Sequence, residues 1–143
     1  MDILILGFSN IVKRRVLPAL VDLGSETRID IASMHGVDRA QLPATWKGEL
    51  YTDYATALNS SKAPLVYISL INSLHEQWAE SALLEKKHVI IDKPALQSLA
   101  ATQRLLTIAS KLDVCLAEAT VFTCHPQFDA ILGMQNDTSR FAR

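Results

Sequence analysis

Ile3-Leu4-Ile5-Leu6-Gly7-Phe8-Ser9-Asn10-Ile11-Val12 is the stretch on which the fold turns. Its first four residues are all apolar and carry no polar alternation, as expected of a strand buried on both faces. Gly7 permits a tight turn, and Ser9 or Asn10 is suited to cap the helix that follows. Strand, turn and helix in that order open a βαβ unit.

The same alternation runs outward from this stretch. Asp2 to Leu6, Ile29 to Ser33, Leu65 to Leu70, His88 to Ile91 and Asp113 to Ala117 have strand length and strand composition, and Glu49 to Tyr51 makes a short sixth. Apolar residues at helical spacing predict helices over Asn10 to Leu23, Leu74 to Lys86 and Leu96 to Leu112, with a shorter one over Tyr54 to Asn59. Pro18 falls inside the first of these and is expected to kink it. Short links between alternating strands and helices imply right-handed crossovers, hence an α/β doubly wound parallel sheet with helices on both faces. Beyond Phe122 the pattern changes: His125 to Met134 starts one more helix, and Gln135 to Arg143 reads as a polar tail. We therefore divide the chain into a domain over 1–122 and a following segment over 123–143.

Composition removes several function classes. The 143 residues suit one domain, and 49% hydrophobic against 20% charged residues is ordinary for a packed core. Fourteen basic and fifteen acidic residues leave a net charge of -1, so no global field attracts nucleic acid or an anionic membrane surface. No apolar run approaches the ~20 residues of a bilayer span, and no basic leader precedes the first one, so a cytoplasmic location is expected. Cys115 and Cys124 form no CxxC pair, and the four histidines show no i, i+4 pair, so neither a disulfide framework nor a metal site is expected.

In an open parallel sheet, ligands lie beyond the carboxyl ends of the strands, at the point where strand order reverses. Gly7, Phe8, Ser9, Asn10 and Ile11 then occupy the place of a G-x-G-x-x-G/A dinucleotide fingerprint, with Ser9 and Val12 in place of the later glycines. A capped strand-to-helix turn with no ligand is the competing reading of the same residues. Lys13, Arg14 and Arg15 in the first turns of the helix oppose its macrodipole, a cost that a bound diphosphate would offset. After the second strand, Ser33, Met34 and His35 contain no carboxylate to bond a ribose 2'-hydroxyl, which leans the cofactor from NAD towards NADP. Lys93, at the tip of the fifth strand, is the candidate catalytic residue, since an ammonium there can polarise a substrate oxygen as hydride leaves the carbon. Asn72 or Ser73 is expected to cap the third helix, His75 to cap or pack, and Glu118 to orient Lys93 or the cofactor.

These segments, in this order, resemble the N-terminal domain of the Gfo/Idh/MocA oxidoreductases. The resemblance rests on Ile3-Leu4-Ile5-Leu6-Gly7, Val66-Tyr67-Ile68-Ser69-Leu70-Ile71-Asn72-Ser73-Leu74-His75, Lys87-His88-Val89-Ile90-Ile91-Asp92-Lys93-Pro94, Glu118-Ala119 and His125-Pro126-Gln127. It implies a Rossmann domain that binds NAD or NADP through the glycine loop and the other strand tips, Leu70, Asn72, His75 and Asp92 among them. It also implies that Lys93 contacts substrate and nicotinamide, and that the substrate is a sugar, cyclitol or nucleotide sugar. Ile71, Asp92, Lys87 and Thr123 depart from the family pattern, where proline, glutamate, glycine and arginine are usual. The family's second α/β domain is not found in these residues, so the chain alone is expected to bind dinucleotide without turning over substrate. An apolar surface near Phe122 to Leu132 is then expected to promote self-association. The alternative is a non-catalytic dinucleotide-binding or regulatory module.

Overall fold

A computed structural model describes residues 2–24 and 26–135. Six parallel strands form one sheet: β1 (Ile3–Leu6), β2 (Ile29–Ala32), β3 (Leu50–Tyr51), β4 (Leu65–Ile68), β5 (His88–Ile91) and β6 (Leu116–Glu118). Their order across the sheet is β3-β2-β1-β4-β5-β6, the doubly wound arrangement expected from the alternation, and it reverses between β1 and β4.

The helices are α1 (Leu17–Asp22), α2 (Tyr54–Ser60), α3 (Asn72–Leu84), α4 (Leu99–Leu112) and α5 (Pro126–Gln135). The pleat divides the core between them. Leu4, Leu6, Val66, Ile68, Val89 and Ile91 point to one face and pack under α2, α3 and α4. Ile3, Ile5, Ile29, Ile31 and Tyr67 point to the other, under Val12, Leu17 and Leu20 of the first helical segment.

That first segment carries the disturbance expected from Pro18, but as a change of helix type. Val12–Val16 is a π turn that leads into α1, and the Leu17 N–H donates to the carbonyl of Val12, five residues back. Pro18 has no N–H to give the carbonyl of Arg14, so the register shifts where an α-helical bond would be missing.

Other elements also differ from expectation. The last strand was expected over Asp113 to Ala117, but Asp113 is the left-handed cap of α4 at φ 55°, so the strand starts only at Leu116. The fourth strand stops at Ile68 rather than Leu70, because Ser69 and Leu70 already turn into the loop before α3. Neither Asn72 nor Ser73 caps α3: Ile71 is its extended N-cap residue and contributes no side-chain bond, while the Leu74 N–H donates to the Ile71 carbonyl at 2.9 Å.

The boundary proposed after residue 122 falls within a 3-10 turn, Val121–Cys124, that precedes α5. Phe122 and Phe128 meet edge to face there, with centroids 5.6 Å apart. The polar tail, from residue 136 onward, lies outside the described residues. Among the described residues, no helix is long and apolar enough to cross a membrane, and no group of three or more His, Cys, Asp or Glu could hold a metal ion.

Candidate functional site

The turn after β1 is clamped from both sides of the sheet. The Gly7 N–H donates to the Ala32 carbonyl at 2.9 Å, and the Ser69 N–H donates to the Leu6 carbonyl at 2.8 Å. Gly7 has φ +97°, and a Cβ on it would lie 2.2 Å from the Ser69 carbonyl oxygen and 2.8 Å from Leu70 Cδ2. Only glycine satisfies both conditions. The tips of β1 and β4 thus press together where the strand order reverses.

Ser9 stands where the fingerprint's second glycine would be. Its Oγ accepts from the Val12 N–H at 3.2 Å and lies 2.7 Å from Ser69 Oγ, so the side chain folds back onto the protein instead of outward from the turn. Val12, in place of the third glycine or alanine, is fully buried in the core beneath the π turn. The Ser9 and Val12 side chains are thus both engaged with the rest of the protein at the turn where a diphosphate would sit. Phe8 and Ser9 are half-buried, Asn10 and Ile11 exposed. Lys13 places its ammonium 4.8 Å from the centroid of the Phe8 ring, keeping positive charge beside the turn.

The tip of β5 joins the same place. Asp92 accepts hydrogen bonds from the Tyr67 hydroxyl and the Ser69 hydroxyl, one on each carboxylate oxygen. Burial, together with the Asp92 charge, pushes the Tyr67 phenol well above its ordinary range, so it remains a donor. Lys93, the next residue, is exposed and forms no ion pair among the described residues.

Two side chains hold the Lys93 loop from its flanks. His75 is only 1% exposed. Its Nε2 lies 3.0 Å from the Leu70 carbonyl oxygen, and its Nδ1 lies 3.1 Å and 3.2 Å from those of Pro94 and Ala95. The ring therefore bridges the loop after β4 to the loop after β5 through its two nitrogens. Glu118, at the tip of β6, accepts from the Ala95 N–H at 2.8 Å and from the Thr120 hydroxyl at 2.6 Å. Those two bonds, Thr120 first, hold its carboxyl below the usual carboxylate range, with a smaller contribution from the charge of Lys93. Glu118 anchors the loop directly rather than pairing with Lys93.

The loop after β2 divides. Ser33 is 7% exposed, so its hydroxyl is withdrawn from the rim, whereas Met34 is 66% exposed and His35 is also exposed. Leu70 is half-buried against the Gly7 turn, and Asn72 is exposed at the start of α3. Tyr67 and Ser69 are the residues that sequence reasoning missed. The signal lay in Val66-Tyr67-Ile68-Ser69, where two hydroxyl groups alternate with aliphatic side chains in a strand otherwise apolar.

Residues 1–120 match the family described as an oxidoreductase family with an NAD-binding Rossmann fold. A dTDP-3,4-didehydro-2,6-dideoxy-alpha-D-glucose 3-reductase from Saccharopolyspora spinosa is 28% identical over 127 residues, covering 89% of this chain and 38% of the relative. A D-xylose 1-dehydrogenase (NADP(+)) from Haloferax volcanii is 30% identical over 124 residues, covering 85% of this chain and 38% of that protein. The crystal structure of a 3-ketoreductase from Actinomadura kijaniata in complex with NADP and TDP-benzene superposes with a TM-score of 0.83 at 28% identity, over 96% of this chain and 42% of that one. The chain thus spans about two fifths of the length of these proteins.

Proposed function

The chain belongs to the Gfo/Idh/MocA oxidoreductases, and from that premise we propose that it is the cofactor-binding part of an NAD(P)-dependent enzyme that takes hydride from a CH–OH carbon, or returns it to the corresponding carbonyl carbon, of a sugar, cyclitol or nucleotide sugar. The observation that carries this reading is the convergence on Ser69 of the Gly7 turn and of Asp92, next to Lys93, at the reversal of strand order. A nicotinamide bound there would supply or accept the hydride. The chain's own residues do the rest. The backbone N–H groups of residues 8–11 bind the diphosphate. Met34 and His35 flank the ribose, and the absence of a carboxylate at 33–35 supports NADP over NAD. Lys93 donates from the rim to a substrate oxygen as charge develops on it. The names of the relatives, two acting on sugars and one crystallised with NADP and a TDP derivative, support the substrate class.

The reading assigns dinucleotide binding, without turnover, to these 143 residues, a cytoplasmic location, and self-association through the exposed Val121, Phe122 and Ile131. Calorimetric titration of the chain with NADPH and with NADH tests the cofactor assignment. Saturable heat with NADPH, tighter than with NADH, is the expected result. No heat with either cofactor at millimolar concentration overturns it.

A further inference from the structure

We propose that Ser69 is a positioning residue that couples the dinucleotide turn to the loop bearing Lys93, through a one-way line of hydrogen bonds from Ser9 to Asp92. The proposal rests on the cofactor reading above and adds to it a residue with a defined task.

The direction of the line follows from counting hydrogens. The Ser69 hydroxyl donates to one Asp92 carboxylate oxygen, so its single hydrogen is committed there. Ser69 Oγ can then meet Ser9 Oγ, 2.7 Å away, only as an acceptor, so Ser9 gives its hydrogen to Ser69. Ser9 Oγ, with its own hydrogen spent, accepts from the Val12 N–H at 3.2 Å. Tyr67 fills the other Asp92 oxygen. Asp92, as the terminal acceptor, thus sets the orientation of the Ser69 and Ser9 hydroxyls back to the first turn of the helix, and the Ser69 that links them is buried, at 4% exposed.

Two consequences bear on the reaction. Ser9 is held folded back, keeping the outer surface of the turn clear for the diphosphate although serine stands where glycine is usual. Asp92 is held towards β4, leaving the adjacent Lys93 ammonium available to substrate instead of satisfied by its neighbour. One buried hydroxyl therefore sets the spacing between the group that holds the cofactor and the group that meets the substrate. Its location at the junction of β1, β4 and β5 is what allows it to touch both.

The test compares Ser69→Thr with Ser69→Val, which have the same shape and differ in the hydroxyl, with NADPH affinity measured by calorimetry on the whole chain. A coupling worth about one neutral hydrogen bond corresponds to a roughly 3–10-fold weakening. Ser69→Val is expected to weaken NADPH binding by that factor relative to Ser69→Thr, and Ser9→Ala is expected to cost nothing further in the Ser69→Val background. Equal affinities of the two variants, or a full additional loss on adding Ser9→Ala, overturn the coupling while leaving the cofactor reading intact. Failure of the parent chain to bind NADPH or NADH overturns both. If Ser69→Val does not fold, a cycle of Ser9→Ala and Asp92→Ala reads the same line, because alanine removes the acceptor to which the Ser69 hydrogen is committed; strictly additive losses there overturn the proposal.

Discussion

Replacing Gly7 by alanine is the sharpest perturbation of the turn, because two independent costs meet at one atom. At φ +97° an L-residue is strained, by about 1–2 kcal/mol. The added methyl also lies 2.2 Å from the Ser69 carbonyl oxygen and 2.9 Å from its carbon, both backbone atoms that cannot rotate away. The bonds from Gly7 to Ala32 and from Ser69 to Leu6 resist separation of the two strand tips, so overpacking adds about 1–3 kcal/mol. The sum, about 2–5 kcal/mol, lies within the usual stability of a domain, so the variant still folds. At about 3–4 °C per kcal/mol for a chain of this size, its Tm should fall by roughly 6–20 °C, measured by circular dichroism. Gly36→Ala is the matched control: its φ is +72° and nothing lies within 4 Å of the added carbon, so it carries strain without contact. If Gly7→Ala melts no lower than Gly36→Ala, the close approach of the β1 turn to β4 is refuted. NADPH affinity should fall with Gly7→Ala and stay unchanged with Gly36→Ala.

His75→Leu removes the ring that bridges the Leu70 carbonyl to those of Pro94 and Ala95; whichever ring nitrogen carries the N–H, at least one buried carbonyl loses its donor, at about 1–3 kcal/mol in denaturant unfolding, and an unchanged midpoint would contradict its role as a tie between the loops. Glu118 has a folded-state carboxyl held below its unfolded value, so its contribution is present above the ordinary carboxylate range and is lost as pH falls through the folded value. Glu118→Gln should therefore flatten the acid limb of Tm against pH, and identical slopes in parent and variant would show that these bonds do not act as described. Val121 and Phe122 are 73% and 60% exposed beside an apolar cavity of about 450 Å³ lined by Phe128 and Ile131, so sedimentation should reveal concentration-dependent association; a clean monomer at all concentrations would count against it.

Much of the fold was legible because strands buried on both faces advertise themselves. Ile3 to Leu6 reads as an uninterrupted apolar run, since neither side of the sheet offers it water. Asp113 misled because its left-handed conformation is a response to the end of α4, not a property of its neighbours in sequence. Polar partners were less legible still. Asp30 sits in an apolar strand, yet it is buried and bonded to Arg28, Ser61 and the Glu49 N–H, while Lys87 lies nearby with its ammonium 2.9 Å from the carbonyls of Ser61 and Ala63. Burial lowers the pKa of that lysine, and nothing local announced it.

The order of residues alone determined the alternation of strands and helices, the glycine turn that opens it, and Lys93 at a strand tip, because each depends on side chains a few positions apart. Which hydroxyl meets which carboxylate was decided only by the folded sheet. β4 lies between β1 and β5, and that placement carries Ser69 across 60 residues to Ser9 and across 23 to Asp92. A short-range hydrogen bond has no signature in sequence when its partners are brought together by strand order, and the site's internal connections are bonds of that kind.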